Sequence, residues 1–140
     1  MKWIMFILPI VCLCLVACEE KEGYLRTENA VYEPDTMVVR LVPDPELDAV
    51  RIEYKSPWQS LAMQGYEGTE RIDFTVESVS STAGEVAVTS FMKEVSILGG
   101  GILRYPFEGK SPAGRYTVSV RLTGPGYSQV VKDAFTFILK

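Results

Sequence analysis

Apolar and polar residues alternate with a period of two along much of this chain, which confines it to strands with one dry and one wet face. Val50, Ile52 and Tyr54 alternate with Arg51, Glu53 and Lys55. Ile72, Phe74 and Val76 alternate with Asp73, Thr75 and Glu77. Tyr116, Val118, Val120 and Leu122 alternate with Arg115, Thr117, Ser119 and Arg121, and Phe135, Phe137 and Leu139 repeat the pattern at the end. Further strands are predicted over Met37 to Val42, Val86 to Phe91, Val95 to Leu98, Ile102 to Tyr105 and Val130-Val131. Turn clusters separate them: Pro43-Asp44-Pro45, Thr82-Ala83-Gly84, Gly99-Gly100-Gly101 and Gly124-Pro125-Gly126. Seven or eight short strands punctuated in this way point to an all-β sandwich or barrel, with no helix expected. Ser56 to Thr69 is the least regular stretch, read either as a long connection or as a short strand at Leu61-Ala62-Met63.

The first seventeen residues follow a different rule. Met1-Lys2 starts the chain with one positive charge, and Trp3 to Val16 is an apolar run broken only by Pro9. About 14 apolar residues are too few to span a bilayer core of ~30 Å as a helix, but they suit a secretory signal segment. The run ends at Leu15-Val16-Ala17-Cys18, which resembles the bacterial lipobox. In lipoproteins of that kind the cysteine sulfur takes a diacylglycerol and the chain is cut just before it. The resemblance implies a signal peptide at 1–17, a lipidated tether and lead-in segment at 18–34, and a sandwich domain at 35–140. The other reading of the run is an ordinary apolar helix. Glu19-Glu20-Lys21-Glu22 is similar to the export signal of Bacteroidota lipoproteins that reach the outer face of the outer membrane. It implies anchoring there, facing the cell exterior, with the membrane as a partner through the lipid.

Cleavage before Cys18 would remove Cys12, Cys14 and Lys2, leaving 123 of the 140 residues and moving the net charge from −4 to −5. No thiol then remains to pair, so stability has to come from apolar burial, at ~25 cal/mol per Å². A chain of that length can bury enough. The acidic balance disfavours nucleic acid, which needs a basic surface.

One strand carries a second resemblance. Ala113-Gly114-Arg115-Tyr116-Thr117-Val118-Ser119-Val120 resembles the penultimate strand of immunoglobulin-like sandwiches, where Gly-x-Tyr-x-Val-x-Val follows a corner. The resemblance implies an Ig-like antiparallel β-sandwich in which the Tyr116 hydroxyl ties back to the Ser111-Pro112-Ala113-Gly114 loop. Val118 would stand where antibody domains carry cysteine.

Catalytic chemistry has little to build on. With no histidine in the chain, the commonest general base and metal ligand are missing, and no serine sits in a Gly-x-Ser-x-Gly elbow. Glu53, Asp73 and Glu77 occupy wet strand positions, where charged residues belong without any catalytic role. Asp44-Pro45-Glu46-Leu47-Asp48 spaces three carboxylates as a calcium loop does, but lacks the glycine that such a loop turns on; a plain acidic turn is the other reading. Gly99-Gly100-Gly101 has no following Lys-Ser/Thr and reads as a hairpin or bulge rather than a phosphate cradle. No cofactor is expected beyond the lipid on Cys18.

The aromatic residues remain. Trp58, Tyr66, Tyr105 and Tyr127 lie in or beside loops, where a ring face could meet the apolar side of a sugar. Trp58 also suits a plug in the sandwich core. Lipobox and sandwich together resemble small Bacteroidota surface lipoproteins that accompany outer-membrane nutrient uptake, and that resemblance implies a non-catalytic envelope lipoprotein binding a glycan or a neighbouring surface protein. A structural spacer or adhesion stalk of the same fold, with no ligand of its own, is the alternative.

Overall fold

The computed structural model describes residues 23–140. Cys18, the signal segment and the acidic run at 19–22 lie outside the described residues. Nine strands and two helices make up the described fold: β1 (Leu25–Arg26), β2 (Thr36–Val39), α1 (Ala49–Tyr54), β3 (Trp58–Gln59), β4 (Glu67–Gly68), β5 (Asp73–Ser81), α2 (Glu85–Glu94), β6 (Ser96–Ile97), β7 (Leu103–Tyr105), β8 (Gly114–Gly124) and β9 (Tyr127–Leu139).

The strands form three sheets. The largest runs β2-β9-β8-β5, a smaller one runs β3-β7-β6, and β1 pairs with β4 in a two-stranded ribbon. Neighbours are antiparallel except β2 and β9, which run parallel with Val39 opposite Leu139. Long alternating runs make the long strands, as expected: the dry phase of β8 is Tyr116, Val118, Val120 and Leu122, all buried. Pro125-Gly126 joins β8 to β9 with Gly124 opposite Tyr127, and Gly126 takes φ +80°, which a tight turn of this form asks of its second residue. Val130-Val131 and the final alternating run belong to one thirteen-residue strand, interrupted by a bulge around Asp133.

The core lies between the large and small sheets. Phe91 stacks on Tyr116 with centroids 4.4 Å apart and on Tyr105 at 5.3 Å, while Tyr105 lies 6.4 Å from Phe137. Tyr116 closes its corner as the sequence suggests: its hydroxyl donates to the Pro112 carbonyl at 2.6 Å. The Gly99–Gly101 turn links β6 to β7 as a hairpin.

Two expected strands are helices. Val50, Ile52 and Tyr54 sit on α1, not on a strand. Three alternations in six residues are too short to decide between periods, and the preceding turn decides instead. Asp44 Oδ1 accepts the Glu46 and Leu47 N–H groups, at 2.8 and 3.0 Å, and the Asp44 carbonyl accepts Asp48 N–H at 2.9 Å. That turn leads directly into helical geometry. Lys55 closes the helix in the left-handed region at φ 50°, ahead of Pro57. Val86 to Phe91 form the body of α2, where Ala87 and Phe91, four apart, are the buried pair. That spacing suits a helix face and overrides the β preference of Val86, Val88 and Thr89.

The segments around the sheets also differ from the sequence reading. Leu61 is exposed and makes no strand, whereas Met63 is buried and Gln64 bridges to Val31. Within 18–34, read as tether and lead-in, Leu25 and Tyr32 are core residues, and the Tyr32 hydroxyl donates to the Gly101 carbonyl at 2.5 Å. The packed body therefore takes in chain before residue 35.

Candidate functional site

The four aromatic residues singled out from sequence divide into a buried pair and two half-buried rings. Trp58 and Tyr105 are register partners across β3 and β7, 5 % and 1 % exposed. Arg51 lies 3.9 Å above the Trp58 ring, and the Arg40 guanidinium is 5.3 Å from its centroid. Tyr105 donates its hydroxyl to Glu94 Oε1 at 3.0 Å and accepts Ser111 N–H at 3.1 Å. Burial, more than these bonds, pushes its pKa up. Glu94 also accepts Lys110 N–H at 2.6 Å and the Ser111 hydroxyl, so this carboxylate ties the 106–111 loop to α2. Tyr127 is half-buried against the core at the start of β9.

Tyr66 lies in a groove of about 500 Å³ lined by Tyr24, Tyr66, Glu67, Glu70, Ile72 and Phe74, together with Gly68 and Gly100. The ribbon of β1 and β4 builds one wall. Tyr24 N–H donates to Thr69 Oγ1 at 3.0 Å, and Thr69 N–H donates back to the Tyr24 carbonyl at 2.9 Å, which fixes Tyr24 beside β4. Gly68 makes the close approach possible, since a Cβ there would stand 3.0 Å from both Leu25 Cδ1 and Ile72 Cδ1. Phe74, from the start of β5, meets Tyr66 edge to face at 5.2 Å and holds its ring. Tyr24 is 49 % exposed. Sequence reasoning missed it by assigning it to the lead-in segment. The signal that could have found it is a tyrosine next to Leu25, one apolar pair at the edge of a polar stretch.

The groove therefore combines two tyrosine rings, one firmly backed, with the carboxylates of Glu67 and Glu70. Aromatic faces suit the C–H side of a sugar ring, and carboxylates accept its hydroxyl donors. Tyr127 is not among its lining residues, although the tip of its hairpin at Gly124 rests near the Thr69 and Arg71 carbonyls.

The acidic turn is committed elsewhere. Asp48 is buried and receives Arg40 Nε at 2.7 Å, Arg40 Nη2 and Asp44 N–H at 2.9 Å. The hydrogen-bonded Arg40 guanidinium pulls the Asp48 pKa down to about 2. Asp44 is lowered too, chiefly by the Leu47 and Glu46 N–H groups. Among the described residues, no three acidic, histidine or cysteine side chains converge as metal ligands would. Glu77 pairs with Arg121 at 2.7 Å, Asp73 stands 3.6 Å from Arg71, and Glu53 lies on α1. Among the described residues, no helix is long and apolar enough to cross a membrane.

The chain matches no family model, no curated protein and no solved structure.

Proposed function

We propose that this chain is a non-catalytic glycan-binding module, held by a lipid on Cys18 at the outer membrane of a bacterium and facing outward. The observation that carries the binding role is the groove in which Tyr24 and Tyr66 stand beside Glu67 and Glu70. The anchor rests on the sequence: a charged start, an apolar run, Leu15-Val16-Ala17-Cys18 and then Glu19-Glu20-Lys21-Glu22. A non-catalytic role is supported by Asp48, Glu77 and Glu94, each of which holds a structural partner.

The finer fold reading belongs to the same proposal. Sheet order β3-β7-β6 against β5-β8-β9 corresponds to strands B-E-D and C-F-G of an immunoglobulin-like sandwich. In that correspondence β2 extends the second sheet beside β9, and α2 occupies the connection between C and D. The Tyr116 to Pro112 hydrogen bond supports it as the corner tyrosine of strand F.

Isothermal titration of the full chain in detergent against a polysaccharide panel tests the binding role. Heat of binding to at least one glycan, lost in Tyr66→Ala, is the expected result. A flat response to every glycan removes this reading.

A second reading, assembly with a neighbouring protein, has one observation in its favour. Leu47, Val50 and Tyr54 are spaced to share a face of α1 and its lead-in, and Val50 and Tyr54 are 68 % and 70 % exposed. Leu47→Ser together with Val50→Ser would then reduce co-purification of that partner.

A further inference from the structure

Resting on the reading of the groove as a glycan site, we propose that it selects sugars bearing a free, protonated amine over neutral or acidic ones. Glu67 and Glu70 are both exposed, and they are the two charged side chains in the lining. Among the described residues, neither takes part in an ion pair; the pairs there are Arg40–Asp48, Lys55–Glu108, Arg71–Asp73 and Arg121–Glu77.

Two arginines adjoin the carboxylates in register or in sequence, and each faces another group. Arg26 is the register partner of Glu67 across the ribbon, yet its guanidinium lies over the Tyr24 ring, 5.5 Å from the centroid. Arg71 follows Glu70 directly and turns to Asp73 at 3.6 Å. Neither arginine lines the groove. Among the described residues the lining thus holds two carboxylates and no cationic side chain, with the Arg26 guanidinium set against the Tyr24 ring at its wall.

The aromatic wall reinforces the same choice. Tyrosine rings present a negative face, and a cation placed over one gains electrostatic energy that a neutral hydroxyl does not. Arg26 above Tyr24 is an instance of that attraction within the fold itself. A sugar whose C–H face lies on Tyr66 and whose ammonium reaches Glu67 or Glu70 satisfies rings and carboxylates together. A uronic acid would instead bring a third negative charge to a site that already holds two. An N-acetylated sugar fits the rings but offers no charge.

The test compares two probes of equal length, a glucosamine tetramer and an N-acetylglucosamine tetramer. Both are titrated into the full chain in detergent at a pH where the free amine is protonated. The amine form is expected to bind roughly tenfold more tightly, the scale that one or two exposed charge contacts supply. Glu67→Gln with Glu70→Gln is expected to erase that preference, bringing the two probes to equal affinity. Both positions are exposed, so unchanged melting checks that the variant folds. Equal affinity for the two probes, tighter binding of the acetylated one, or a preference that survives the double variant would each overturn the charge selection and leave the glycan site standing. Binding of neither tetramer overturns the selection; the glycan site falls with it only if the polysaccharide panel is silent too.

Discussion

Arg51 lays its guanidinium 3.9 Å over the ring of Trp58 and donates to the Pro57 carbonyl at 2.6 Å, so one side chain covers the indole and binds the chain on which it sits. This contact closes Trp58 as a platform and makes it a clamp between α1 and β3. Trp58→Ala is expected to cost about 3–5 kcal/mol of stability, the range for deleting a large buried aromatic. Arg51→Ala is expected to cost about 1 kcal/mol, from a partly exposed cation–aromatic contact. Urea denaturation measures both, and Arg51→Ala should leave binding in the Tyr66 groove unchanged.

Tyr116 offers a cleaner test of a single bond. Tyr116→Phe keeps the stack on Phe91 and removes only the hydroxyl that donates to Pro112. The expected loss is about 0.5–1.5 kcal/mol, with the Pro112 carbonyl left to find water. Phe91→Ala, which empties the centre of the aromatic stack, is expected to cost about 3–5 kcal/mol. Denaturation midpoints should rank Phe91→Ala well below Tyr116→Phe.

These two residues also mark how far the sequence could be read. Tyr116 belongs to a run of four alternations in a strand long enough for period two to dominate, and its corner was visible because loop, glycine and tyrosine are contiguous. Phe91 lies in a run rich in β-branched residues, and its helix depends on packing the Ala87 and Phe91 side against Tyr105 and Tyr116, which are distant in sequence. The two-residue strands β1, β3, β4 and β6 have no period at all; their partners define them. The groove was half legible for the same reason. Tyr66 stood out as an aromatic in an irregular stretch, while Tyr24 joins it only because β1 pairs with β4 across some forty residues.

Asp48 sets an acid limit on stability. Its carboxyl titrates near 2 in the folded chain against an ordinary 3.8, because the Arg40 guanidinium favours the charged form. Between those values the unfolded chain binds the proton more readily, so stability rises with pH through the window. The contribution is full above about pH 4–5 and is lost as pH falls toward 2. Thermal melting between pH 2 and 6 checks this: Asp48→Asn is expected to flatten the part of the acid decline due to this group, while melting lower than the parent at pH 6.

Cys18 governs location in the proposed function. Cys18→Ser is expected to shift the protein from the detergent phase to the aqueous phase on phase separation of cell extracts. Mass spectrometry of the parent should find the acylated cysteine at the mature terminus. A mature terminus without lipid would break the link to the membrane.

In the proposed function, ligand meets the fold between the β1–β4 ribbon and the start of β5. Chemical-shift mapping of the isotopically labelled full chain with its tightest glycan tests that most directly. Shifts gathered on Tyr24, Tyr66, Glu67, Gly68 and Phe74, with Trp58 and Tyr105 undisturbed, are the expected result. Shifts gathered instead on α1 and the Asp44 to Asp48 turn, or on the outer face of the large sheet at Ser80 and Thr117, would contradict it.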